Sequence, residues 1–419
     1  MRILLLTQWF DPEPTFKGLA FARELTRRGH EVEVLTGFPN YPGGKLYPGY
    51  VIRGVQRERM EGISVIRVPL YPSHDRSALR RVANYASFAV SAAFFGALLV
   101  RPADVMYVYH PPPTIALAAV VLKALRGIPF VYDVQDLWPD TLEATGMVQH
   151  KALLKCVDLW CRATYALSDR VVVLSQGFKR KLQERGVGNK IDVILNWADE
   201  TLLGVMDQES ARAKEPQMAG RFNVVFAGTM GKAQALEAML DAAALVAPMM
   251  PRVQFVLVGG GIEVEHLRAK KEAMGLTNVL FIPRRPMSEV GSVLAAADVL
   301  LVHLRDEPLF SITVPSKTQA YLAVGRPVLI AVRGEAAELV ETAGAGVSCL
   351  PENPQSLAAA VLAMAQMAPE EREAMGQRGR AYYERELSLR VGVGRFEEVF
   401  EATAKRIFRT GAQRPEVRR

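Results

Sequence analysis

Short apolar runs alternate with helical stretches along nearly the whole chain, and this alternation constrains the fold more than any other feature. In the first half the runs are residues 3–7, 31–36, 64–68, 105–109, 130–133, 171–174 and 192–195. Helical stretches such as 18–28, 114–126 and 153–167 lie between them. A strand that is apolar on both faces must be covered on both, so the pattern predicts a parallel sheet between helical layers. Residues 201–221 are polar and weakly patterned, which reads as a linker. The alternation then restarts, with strands at 223–227, 253–258, 279–281, 299–302 and 328–331. Helices at 235–247, 263–274, 287–296 and 316–323 separate these. The expected fold is α/β, with two doubly wound Rossmann-like domains over residues 1–200 and 201–388. A last helix near 389–408 is placed to cross back onto the first. Ligands of such sheets bind at the carboxyl ends of the strands, so the cleft between the domains is the expected site.

The 419 residues are enough for two or three cores, and half of them are hydrophobic. Cys156, Cys161 and Cys349 form no pairing framework or metal spacing, which fits a reducing compartment. The opening MRILLLTQWFDPEP lacks a secretory signal's apolar length, so a cytoplasmic start is expected. The net charge is +7, and residues 1–200 hold 25 Lys+Arg against 19 Asp+Glu, so the basic excess belongs to the first half. No nucleic-acid-binding signature accompanies it, which points instead to a membrane surface or a lipid diphosphate. Residues 82–100 carry no charge over 19 positions and include Phe88; Arg76, Arg80 and Arg81 precede them. Three readings stay open: a buried core helix, a helix lying on anionic lipid, and a span. Peripheral attachment to the inner face of the cell membrane is the expectation.

The chemistry-bearing residues gather at strand ends. Pro315-Ser316-Lys317 opens a helix, and a helix N-terminus with a Ser and a Lys in its first turn favours an anion. The plain alternative is a capped helix with a surface lysine. Strand 223–227 ends in Gly228-Thr229-Met230-Gly231-Lys232, and strand 253–258 ends in Gly259-Gly260-Gly261. Such glycines let a backbone approach a phosphate, although a tight turn alone also requires them. Lys232 and Lys317 would converge on one diphosphate. Glu307, Leu309 and Phe310, in an acidic loop, are candidates for holding sugar hydroxyls; a solvated turn is the alternative. In the first domain Lys17-Gly18 opens a helix, His110 ends a strand, and Asp133, Asp136 and Trp138 follow another strand end. Asp136 as a cap, with His110 and Trp138 as packing groups, is the alternative reading. No Asp-x-Asp, His/Glu zinc spacing, Walker loop, Gly-x-Ser-x-Gly or first-strand dinucleotide fingerprint occurs, so neither metal nor cofactor is expected.

Taken together, RELTRRGHEVEVLTGFPNYPGGKLYPGY, YDVQDLWPD, FAGTMGKAQALE, VLVGGG, DEPLF and VPSKTQAYLAVGRPV resemble the retaining glycosyltransferases of family 4, which have the GT-B fold. The branch resembled comprises bacterial enzymes of surface-polysaccharide assembly, including N-acetylfucosamine transferases of O-antigen and capsule synthesis. The resemblance implies a nucleotide-diphosphate sugar, UDP-linked, in the second domain and a polyprenyl-diphosphate-linked saccharide acceptor in the first. Lys232 and Lys317 would hold the diphosphate, with Gly18 beneath it and Arg284 near the base. Gly228, Gly231, Gly260, Ser316 and Gln319 would line the donor site. Asp136 and His110 would face the reacting sugars, and Lys17, Trp138, Arg80, Arg81 and Phe88 would serve acceptor or membrane. Two departures stand out. Ile312 and Ala320 occupy the places of a glutamate pair common in the family, with Glu307 or Gln319 nearby as replacements. Gln135 stands where many members carry a histidine. A nucleotide-sugar 2-epimerase and a non-catalytic nucleotide-sugar-binding protein share this architecture and remain as alternatives.

Overall fold

The computed structural model describes residues 1–73, 78–144, 146–148, 150–204 and 206–409. Arg76 lies outside them. The first sheet is built from β1 (Arg2–Leu6), β2 (Glu31–Gly37), β3 (Gln56–Met60), β4 (Ile63–Val68), β5 (Val105–His110), β6 (Phe130–Val134), β7 (Arg170–Val173) and β8 (Ile191–Val193). Their order across the sheet is β3-β4-β2-β1-β5-β6-β7-β8. β1 lies at the centre, with Ile3 opposite both Val32 and Val105, and it is buried from Ile3 to Leu6. The order reverses direction at β1, so the loops after β1, β2 and β5 surround the topological switch point where ligands bind.

The second sheet contains β9 (Phe222–Thr229), β10 (Val253–Gly260), β11 (Val279–Pro283), β12 (Val299–His303), β13 (Val328–Ala331) and β14 (Gly346–Ser348). Its order is β11-β10-β9-β12-β13-β14, and every described pairing in it is parallel. Each sheet has a separate hydrophobic core on each face, as a strand set apolar on both sides demands.

One strand escapes an apolar-run reading. β3, QRERM, is polar except for Met60, yet it pairs antiparallel with β4 at the sheet edge. An edge strand needs only one protected face, and charged side chains suit the other. The helix Leu389–Arg409 leaves the second domain and returns to the first. Its Phe396 and Phe400 are fully buried among Ile3, Leu5, Phe21, Tyr107 and Trp197.

Candidate functional site

The carboxyl ends of β9 and β10 are drawn together by backbone that only glycine permits. Gly259 has a φ of +134°, and a Cβ there would overlap the Gly228 carbonyl. Gly261 has a φ of +153°, and a Cβ there would overlap Met230. The Met230 N–H donates to the Gly260 carbonyl at 2.8 Å, joining the two turns. Into the gap left by Gly228 comes Lys317, from the first turn of the helix Ser316–Val324. Its ammonium lies 3.7 Å from the centre of the Phe226 ring. It is enclosed and has no hydrogen-bond partner among the described residues. Burial pulls its pKa down to about 7. A buried cation without a counter-charge is costly, so the position calls for an anion. No side chain caps this helix, so the positive end of its dipole lies in the turn that carries Lys317.

The other donor-site candidates are less closely gathered. Lys232 is exposed, in a short turn held by the Gln234 side chain, which accepts from Gly231 N. It lines a cavity of about 460 Å³ whose charged walls are Glu237, Asp241, Glu263, Arg305 and Glu352. The structure therefore brings Lys317 to Gly228 and leaves Lys232 beside acidic groups. Ser316 is exposed. Gln319 is buried, and its amide nitrogen donates to the Pro315 and Ser316 carbonyls at 2.8 and 3.0 Å, so it is spent on its own helix. Glu307 begins the four-residue helix Pro308–Ser311 with its backbone. Leu309 packs on the core of the first domain and Phe310 on that of the second. Ala320 is packed into the second core, and Ile312 rests on the first. Arg284 is exposed, and its charge acts on the Tyr41 and Tyr47 hydroxyls of the opposite domain.

In the first domain two expectations are corrected. Lys17 is not an acceptor or membrane residue: it is fully buried and pairs with Asp133 at 2.8 Å. It also donates to Asn196 at 2.6 Å, while the Tyr107 hydroxyl donates to Asp133 at 2.6 Å. The loop before the first helix is thereby tied to β5, β6 and the exit toward the second domain. Phe88 is not at the surface either: it is fully buried against β2 near Gly37, because it falls on the inward side of the helix Ala78–Leu99. Gly18 does begin the helix Leu19–Arg27, but the Asp11 carboxylate accepts from Leu19 N at 2.6 Å and already fills part of that N-terminus.

His110, at the end of β5, is buried between Tyr132 and Trp138, and neither ring nitrogen has a partner among the described residues. Burial lowers its pKa to about 3, so it is neutral and suited to hydrogen bonding rather than to carrying charge. Asp136 is partly buried, and desolvation raises its carboxyl to about 6. Gln135 bonds Asn196 through its oxygen at 2.7 Å. Arg80 and Arg81 lie in the first turn of the helix Ala78–Leu99.

A cross-domain contact carries no sequence signal. Glu335, in the second domain, accepts from the backbone N–H groups of Gln176 and Gly177, which open the helix Gln176–Glu184 of the first. Arg180 adds an ion pair at 3.2 Å, and Ser175 donates to the Ile312 carbonyl at 2.6 Å. Gly177 leaves no room for a Cβ against Ile312. Ile312 is thus used to hold the domains together.

Residues 19–197 match the Glycosyl transferase 4-like domain, and residues 207–382 match Glycosyl transferases group 1. The putative colanic acid biosynthesis glycosyl transferase WcaI of Escherichia coli K12 is 27% identical over 379 residues, covering 86% of this chain and 91% of that protein. Sucrose-phosphate synthase from Thermosynechococcus elongatus superposes with a TM-score of 0.75 at 17% identity, over 98% of this chain and 100% of its own. Anabaena HepE in complex with UDP-glucose superposes with a TM-score of 0.69 at 17% identity, over 96% and 100%. The two sequence matches run in order over the two sheets described above. The chain is a glycosyltransferase of the GT-B fold, made of a glycosyl transferase 4-like domain followed by a glycosyl transferases group 1 domain.

Proposed function

We propose that the enzyme moves an N-acetylated amino sugar from a UDP-linked donor to a polyprenyl-diphosphate-linked saccharide, with retention, in cell-surface polysaccharide synthesis. The observation that carries the diphosphate-donor part of this reading is the enclosed Lys317 ammonium beside Gly228, a cation placed to meet an anion. The colanic acid relative and the UDP-glucose complex of HepE support the donor class and the biosynthetic setting. Lys317 and the uncapped helix would stabilise the charge that develops on the diphosphate as the C1–O bond breaks. The acceptor oxygen attacks C1 from the same face, and its proton passes to the departing phosphate oxygen, which leaves as UDP. Glu335 and the Leu309–Ile312 contacts favour the closed cleft that keeps water out. Lys232 is assigned to the outer side of the donor loop, and Asp136 and His110 to the sugars.

The acceptor reading places the first domain against anionic membrane. Leu79, Val82, Val90, Phe94 and Leu98 form an exposed apolar stripe along the helix Ala78–Leu99, with Arg80 and Arg81 at its start. Leu159 and Leu167 are also exposed, on the helix Lys151–Leu167. Apolar stripes flanked by cations adsorb to such surfaces. The test is incubation of purified enzyme with a panel of UDP-sugars and a short-chain lipid-diphosphate saccharide, with the anomer of the product read by NMR. Transfer with retention is expected. Inversion, or epimerisation of the donor without acceptor, overturns the proposal.

A further inference from the structure

Three buried amides at the cleft end of the first domain each precede an aromatic residue. Gln8 follows β1, Asn40 follows β2, and Asn84 lies on the helix Ala78–Leu99. Gln8 donates to the Asn84 side-chain oxygen at 2.6 Å, and Asn84 donates to that of Asn40 at 3.2 Å. The residues that follow them are Trp9, Tyr41 and Tyr85. The Trp9 and Tyr41 rings lie 4.8 Å apart at 32°, and Tyr85 meets Trp9 at 6.5 Å nearly edge-on. All three rings are partly exposed, although the amides beneath them are buried.

The arrangement is rigidly backed. Glu13, itself buried, accepts from the N–H groups of Phe10, Asn40 and Tyr41 and so fixes the two loops against each other. The Gln8 side-chain oxygen has no partner among the described residues. Charge flanks the rings on both sides. Arg81 is close enough to act on the Tyr85 hydroxyl, and Arg284 acts on that of Tyr41 from across the cleft. From Arg81 the exposed apolar stripe leads away along the same helix.

We infer that Trp9, Tyr41 and Tyr85 form the platform on which the lipid-proximal sugar of the acceptor stacks, with Arg81 taking the acceptor's diphosphate. This rests on the proposed transfer to a lipid-diphosphate saccharide and adds the residues that recognise it. Sugar rings present C–H faces that pack on aromatic rings, and a hydroxyl donor suits the unpartnered Gln8 oxygen. Arg81 lies on the membrane side of the rings and Arg284 on the donor side, so the platform has a cation at each flank.

The test compares binding, by calorimetry with UDP present, of decyl diphosphate and of decyl diphosphate carrying N-acetylglucosamine, N-acetylgalactosamine, galactose or glucose. The wild type should prefer at least one sugar-bearing compound over the bare one. Trp9→Ala and Tyr85→Leu should each remove about tenfold of that preference, Trp9→Phe should keep most of it, and all should bind UDP as the wild type does. A wild type indifferent to all four sugars overturns the inference, as does a loss that falls equally on bare decyl diphosphate. Failure of UDP to stabilise the wild-type enzyme in a melting experiment would instead sink the donor reading. The two failures are therefore distinguishable.

Discussion

With UDP as the proposed leaving group, the Lys317 amine would make UDP binding a proton-linked event, and the sign follows from the geometry. In the free enzyme burial holds its pKa near 7, against 10.5 in water. At about 1.4 kcal/mol per tenfold, that gap corresponds to a cost of about 5 kcal/mol for the charged amine. The folded value lies below the unfolded one, so the unfolded chain binds more protons between these limits. This group's destabilisation is fully present below about pH 7 and is relieved as pH rises toward 10.5. A diphosphate placed against the amine reverses the shift, so binding above pH 7 takes up a proton. Affinity for UDP should then fall by up to about tenfold per pH unit from 7 to 9, where the phosphates of UDP are already ionised. Calorimetric titrations at pH 8.5, in two buffers of different ionisation enthalpy, should show uptake of nearly one proton. Lys317→Met should abolish the uptake and flatten the pH profile. It should weaken UDP binding by roughly a hundredfold and raise the melting temperature of the free enzyme at pH 6. Equal proton uptake in wild type and Lys317→Met would refute the reasoning, because another group would then be the counter-ion.

Further consequences concern the supports of the site. Gly259→Ala forces a side chain onto the Gly228 carbonyl at positive φ; a loss of about 3 kcal/mol or more by denaturant titration is expected, together with loss of UDP stabilisation. Lys17→Met strands the Asp133 carboxylate in the core and should cost about 3–5 kcal/mol, much of it recovered by adding Asp133→Asn. Glu335→Ala leaves two helix N–H groups without their acceptor; about 1–3 kcal/mol of closure should be lost, seen as a larger radius of gyration in X-ray scattering. Phe94→Glu puts a charge in the exposed stripe and should reduce sedimentation with anionic vesicles several-fold.

Much of this protein is readable from one-dimensional pattern. Apolar runs such as ILLL and VVVL require burial on both faces, and that alone dictates parallel sheets under helices. The glycines after β9 and β10 and the Pro-Ser-Lys helix start mark where backbone and charge gather, because their effect is local. Side-chain destination is not local. Lys17 and Lys317 look alike as lysines at helix starts, yet one ends in an ion pair with Asp133 and the other has no hydrogen-bond partner among the described residues. Phe88 and Phe94 share one helix, and only its rotation against β2 buries the first and exposes the second. The Gln8, Asn40 and Asn84 contacts join residues far apart in the chain, as does the grip of Glu335 on the first domain. The sequence by itself determined the two sheets and the strand ends that matter, since periodicity and glycine act within a few residues. Tertiary structure decided which charges are spent and which are kept for ligand, because pairing depends on loops from distant strands meeting at one edge.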